Sequence, residues 1–254
     1  MPAVAFDFLE TLTGYFVPKG TLYTFDKVID RLHKTFKNHL TTRAEAEAFF
    51  YSWHWAALRD YFGTSHAGRY CPLIKMLRNS LRRALLVRGY RMPKEFEENY
   101  IMASFKELEP VSTAVESLEL LKENGWDIWI LTNGGYQNTL DLLQKSQLTS
   151  YIGDNVLSCD DLNISKPHPK VYSELMRMAV HRTQRIENFY MVATHAWDLA
   201  GAKNVSMRTV YLTTEEKVYV KQHDDDGGPD IQGDTMIECI EKMITLEKTR
   251  KHFL

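Results

Sequence analysis

The first apolar run of the chain is short. Residues 3–8 read as a strand that would be buried on both faces, and that run ends in an aspartate, Asp7, and an aromatic, Phe8. From about residue 15 to residue 107 the rhythm is helical. Phe25, Val28, Ile29, Leu32 and Phe36 recur at the spacing of one helix face. Thr42 followed three residues later by Glu45 is a capping-box signature ahead of the apolar stretch from Phe49 to Phe62. Residues 72–88 predict a helix stopped by Gly89, and Pro93 opens another that runs to about Phe105.

Beyond Pro110 helix and strand alternate. Helices are expected over 111–124, 136–146, 169–180, 197–204 and about 235–248. Strands are expected over 126–131, 155–158, 189–193 and 209–212. Such alternation predicts a parallel sheet with helices on both faces. The fold class read from it is α/β: a Rossmann-like parallel core with an inserted helical cap. The expected division is a core of residues 1–14 and 108–254 and a cap of residues 15–107 following the first strand. Ligands of open α/β sheets bind beyond the carboxyl ends of the strands, so a cap in that position would roof the site.

The 254 residues, 25% of them charged, with a net charge of −2 and scattered Lys and Arg, offer no nucleic-acid surface and no polybasic membrane patch. No apolar run approaches the roughly 20 residues of a membrane span. The early strand leaves no room for a signal peptide. Three widely spaced cysteines, Cys71, Cys159 and Cys239, fit a reducing compartment. The expectation is a cytoplasmic protein with no nucleic-acid or membrane partner.

Four polar clusters follow the apolar strands: Asp7–Thr11, Thr132-Asn133-Gly134, Ser165-Lys166-Pro167 and Thr194-His195-Ala-Trp-Asp198. Parallel topology brings all four to one edge. Each alone has a structural explanation, such as a turn, an N-cap or a solvated lysine; their joint order argues for a site. That order resembles the haloacid dehalogenase superfamily of hydrolases. Asp7 with Thr11 and Leu12 matches its nucleophile motif, Thr132 its second, Lys166 its third and Asp198 its fourth.

Within the superfamily, phosphatases carry a second Asp two residues after the nucleophile, as general acid, and a further acidic metal ligand in the fourth motif. Leu9 and Thr194 occupy those positions here, and neither supplies that chemistry. The chain is instead similar to the L-2-haloacid dehalogenases. "KPHPKVY" resembles their Lys-Pro…Tyr segment and points to Tyr172. "THAWDLAGA" resembles their Ser-Asn-Ala-Trp-Asp segment and points to Trp197 and Asp198, with His195 in place of the Asn.

The resemblance implies two-step nucleophilic catalysis with no cofactor and no metal ion. Asp7 would displace halide from a 2-haloacid, and water would hydrolyse the aspartyl ester to a hydroxy acid. Lys166 would hold Asp7 ionised, Asp198 with His195 would position or activate the water, and Thr11 would orient the nucleophile. Phe8, Leu9, Thr132, Asn133 and Tyr172 would contact substrate. The family's cap arginine, which receives the halide, has no clear counterpart: the matching segment offers Trp53, His54 or Trp55, with Arg59 one turn later. Two other readings stand beside this one, a phosphatase with a degraded Mg²⁺ site and a non-catalytic binding protein. The resemblance also implies a small-molecule substrate and a homodimer.

Overall fold

The computed structural model describes residues 1–8, 22–184, 188–221 and 227–251. Strand β1 (Ala3–Asp7) is followed in the described chain by the two-residue strand β2 (Tyr23–Thr24) and helices α1 (Asp26–Thr35), α2 (Arg43–His66), α3 (Leu73–Val87) and α4 (Glu95–Ala103). A 3₁₀ turn (Ser104–Lys106) leads to β3 (Glu109–Pro110). The alternating part comprises α5 (Ala114–Glu123), β4 (Asp127–Thr132), α6 (Tyr136–Lys145), α7 (Thr149–Ile152), β5 (Val156–Ser158), α8 (Cys159–Leu162), α9 (Pro169–Thr183), β6 (Phe189–Ala193), α10 (Ala196–Lys203), β7 (Arg208–Leu212), β8 (Ile231–Gly233) and α11 (Met236–Lys251).

The main sheet is parallel throughout, in the order β5-β4-β1-β6-β7-β8. Strand β1 lies at its centre, and the chain builds outward from it first to one side and then to the other. The order reverses beside β1, and such a reversal opens a crevice at the carboxyl ends of the strands. Strand β1 is buried along its whole length, as parallel strands covered on both faces must be. Its side chains alternate between two cores. Val4 and Phe6 face α5, α7 and α11, whereas Ala3 and Ala5 face α9 and α10. The same alternation turns Asp7 toward α9 and α10.

Helices α1–α4 pack on one another, and their apolar faces join the core on the Phe6 side of the sheet. The capping box at Thr42 forms as expected: Thr42 Oγ1 accepts from Glu45 N–H at 3.2 Å and Glu45 Oε2 accepts from Thr42 N–H at 3.0 Å. Gly89 adopts φ +72° just after α3, the left-handed exit that glycine permits. Both ends of the helical segment meet in an antiparallel pair, β2 with β3, backed by ion pairs Lys27–Glu109 and Arg31–Glu107. Periodicity could not find a two-residue pair, nor the three-residue edge strand β8. The helix expected from Pro93 begins at Glu95, where Glu97 Oε2 accepts the Lys94 N–H at 2.7 Å.

Candidate active site

Four chain segments converge at the carboxyl edge of the sheet. Asp7 ends β1 and pairs in register with Leu131 of β4, so Thr132 lies one step beyond it. Lys166 precedes α9, and His195 and Asp198 open α10 after β6. Lys166 is wholly buried. Its Nζ donates to Asp7 Oδ1 at 2.6 Å, to Asp198 Oδ2 at 2.7 Å and to Leu131 O at 3.4 Å. Tyr172 Oη donates to the other Asp198 oxygen at 2.5 Å, and Asp7 Oδ2 has no hydrogen-bond partner among the described residues.

Two buried carboxylates and one ammonium leave a formal excess of negative charge. Burial pushes the Asp7 carboxyl up to about 6; the Lys166 charge opposes this and Asp198 adds to it. Lys166 therefore offsets only part of the desolvation, and Asp7 is ionised from neutral pH upward. Burial and the adjacent Asp198 charge raise Tyr172 well above the ordinary phenol range, so it stays a hydrogen-bond donor.

The second cluster ties the sheet edge to the helical segment. Thr132 Oγ1 accepts from Gly134 N–H at 2.8 Å. Asn133 Oδ1 accepts from Lys166 N–H at 3.0 Å and from Tyr61 Oη, on α2, at 3.1 Å. Asn133 thus links the β4 turn, the Lys166 segment and the helical segment through one buried oxygen. Tyr61 was legible only as one of several helical aromatics; its polar role needs the fold.

His195 brings in a residue that sequence reasoning missed. Its Nε2 lies 3.1 Å from Glu215 Oε1, and both side chains are buried. Thr194 Oγ1 donates to Glu215 Oε2 at 2.9 Å, and Glu216 Oε2 accepts from Ala196 N–H at 3.0 Å, so Glu216 caps α10. Desolvation opposes a charge on His195, but Glu215, Glu216 and Asp7 outweigh it and carry the imidazole up to about 10. Burial lifts Glu215 to about 7, and the His195 charge offsets that only in part. His195 Nδ1 has no hydrogen-bond partner among the described residues. The Trp197 ring lies 5.3 Å from the His195 ring and 5.9 Å from Lys166 Nζ. The missed signal was a fifth polar cluster, Thr213-Thr214-Glu215-Glu216, directly after β7.

Other expected site residues lie elsewhere. Phe8 packs on Tyr23, ring centroids 4.7 Å apart, within the apolar core. Trp53 is held inside the helical segment, where its Nε1 donates to Leu77 O at 3.0 Å. Arg59 corrects an expectation: its side chain is 70% exposed and paired with neighbouring Asp60, because its position on α2 faces solvent. His54 is buried between the Phe25 and Phe50 rings, near enough to His195 to feel its charge. Leu9 and Thr11 lie outside the described residues.

Comparison with known proteins identifies the family and the fold. A family model described as haloacid dehalogenase-like hydrolase matches residues 1–205. The chain is 30% identical to (S)-2-haloacid dehalogenase 4A of Burkholderia cepacia over 174 residues, 68% of this chain and 72% of that enzyme. It is 22% identical to (S)-2-haloacid dehalogenase of Pseudomonas fluorescens over 201 residues, 79% of this chain and 83% of that one. Its fold matches the L-2-haloacid dehalogenase of Xanthobacter autotrophicus with a TM-score of 0.73 and 18% identity, covering 95% of this chain and 97% of that one. This chain, with its Asp7–Lys166–Asp198 centre at the edge of a parallel sheet, belongs to the haloacid dehalogenase-like hydrolases.

Proposed function

We propose that the protein hydrolyses the carbon–halogen bond of a 2-haloacid through an ester formed on Asp7. The observation that carries this is the Lys166 bridge: one ammonium holds Asp7 by Oδ1 while Oδ2, buried and without a partner among the described residues, is left to react. The named activity of its dehalogenase relatives supports the same reading.

In the first step an Asp7 oxygen attacks C2 of the substrate. The C–O bond forms as the C–halogen bond breaks, and the electron pair leaves with the halide. The developing anion is met by the imidazolium of His195; Arg59 is exposed and paired with Asp60. In the second step water adds to the Asp7 ester carbonyl, and the tetrahedral intermediate expels the 2-hydroxy acid oxygen, restoring the carboxylate. The exchange consumes one water and releases one proton and one halide. Esterification removes the Asp7 charge, one of the forces that hold the proton on His195. That loss, with Glu215 ready to take a proton near neutrality, makes the His195–Glu215 pair the proton carrier of hydrolysis. Asp198, with both oxygens engaged, anchors Lys166 and leaves the proton transfer to that pair.

The test is halide release from a panel of 2-haloacids with a chelator present, beside p-nitrophenyl phosphate with Mg²⁺. Chelator-insensitive halide release supports the proposal. Turnover of the phosphate ester alone would support the phosphatase reading, and no turnover of either, with a ligand still bound, the binding-protein reading.

A further inference from the structure

Beside this centre lies a cavity of about 150 Å³. Its walls come from the helical segment and its surroundings: Phe25, Leu73, Leu77, Met102 and Phe105, all apolar and buried. Its floor is the backbone of Gly134 and Gly135, in the turn that Thr132 holds next to Asp7. A cavity of this volume is large enough for a benzene-sized guest.

Lys106 and Asn138 join the lining toward solvent, and one polar group in it, His54, is buried. His54 is 1% exposed, lines the cavity, and its Nδ1 has no hydrogen-bond partner among the described residues. A buried polar atom left unpaired is costly, and a ligand that satisfies it recovers that cost. Burial, reinforced by the His195 charge, pushes His54 down to about 3, so it stays a neutral imidazole. A neutral imidazole nitrogen either donates or accepts, depending on tautomer, and a hydroxyl matches both.

We propose that this cavity is a specificity pocket for a ring-sized apolar substituent of the substrate, and that a hydroxyl on that ring bonds to His54 Nδ1. The inference rests on the dehalogenase reading and narrows it: the substrate class becomes 2-haloacids bearing a hydroxyaryl side chain, larger than haloacetate or halopropionate. The turn that forms the floor follows Thr132, and His54 feels the charge of His195, so the cavity borders the segments that carry the Asp7 centre.

The test uses halogen-free probes, so it reads out whether or not the protein releases halide. Calorimetry of the purified protein with propionate, 3-phenylpropionate and 3-(4-hydroxyphenyl)propionate is expected to show the hydroxyaryl acid binding at least tenfold tighter than propionate. Leu77→Trp fills the pocket and is expected to bring that ratio to about one. Ile74→Trp, at a 44% exposed position on the rim, closes the same space without loading the core and keeps the test readable if the first variant fails to fold. His54→Phe is expected to erase the preference for the hydroxyaryl over the phenyl acid. Equal binding of all three acids to the unmodified protein, or an aryl preference that survives both tryptophan variants, would overturn the pocket. A hydroxyl preference that survives His54→Phe would overturn the role of His54.

Discussion

Lys166 Nζ lies 2.6 Å from Asp7 Oδ1 across 159 residues of chain, and 2.7 Å from Asp198 Oδ2. One ammonium thus joins the end of the central strand to the first turn of α10. All three groups are completely buried. Burying charges is costly even when they are paired, so the triad is best understood through its reactivity.

Removing the nucleophile should separate chemistry from stability. Asp7→Asn is expected to lower kcat by about 10³-fold or more, because an amide oxygen is a poor nucleophile. Thermal unfolding should be unchanged or shifted upward, since the desolvated carboxylate is itself a burden on the fold. Halide release and a melting curve check the two halves separately.

Removing the cation should do the opposite to stability. Lys166→Met leaves Asp7 and Asp198 as two buried carboxylates with no counter-charge. The expected loss is about 3–5 kcal/mol, the usual cost of breaking a buried pair from one side. Urea unfolding at neutral pH and again near pH 4 measures it; the loss should shrink at the lower pH, where a carboxylate takes up a proton.

The acid limb of the pH profile follows from Asp7. Its folded-state value of about 6 lies above its ordinary 3.8, so folding favours the protonated form while the reaction needs the ionised one. The stabilising contribution of this group is present below about 4 and lost as pH rises through 6. Activity runs the other way: kcat/KM should be level above about 6 and fall tenfold per unit below it. Initial rates between pH 4.5 and 8 test this.

The alkaline limb follows from His195. Its value is raised from 6.5 to about 10, so its charge is present below 6.5 and lost only as pH passes 10. Glu215→Gln removes the strongest of the attractions holding that proton. The alkaline limb should then move toward neutrality by more than one pH unit, and the conservative Glu215→Asp should restore part of it. A purely structural glutamate would lower activity equally at every pH.

A glycine supports the triad from behind. A Cβ at Gly201 would stand 2.7 Å from Pro167 O and from both Cε2 and Oη of Tyr172. Gly201→Ala should therefore cost about 1–3 kcal/mol and shift Tyr172 off Asp198. A melting curve and kcat check it; Ala substituted at exposed Gly227 is the control.

Much of the architecture was legible in residue pattern because strands β1, β4 and β6 are fully buried and read as short, mostly apolar runs, while α1 and α9 show clear helical periodicity. The polar clusters after those runs pointed to Asp7, Lys166 and Asp198, since a parallel sheet collects strand ends at one edge. What stayed hidden had physical reasons. Glu215 acts through His195 across separate strands, and two adjacent glutamates in a loop look like solvated charge. Arg59 follows an apolar stretch closely enough to look inward, yet the helical angle sets it on the solvent side. His54 and its cavity exist only where α2, α3 and the turn after β4 meet, which no single segment encodes.

The central claim is that Asp7 itself is esterified and then hydrolysed at its own carbonyl. A single turnover of excess enzyme with 2-chloropropionate in ¹⁸O-labelled water, followed by mass spectrometry of the peptide containing residue 7, tests it directly. The account predicts one ¹⁸O in the Asp7 carboxylate and unlabelled oxygen in the lactate formed. Label in the lactate, with none in Asp7, would mean that water attacks the substrate carbon directly and would contradict it.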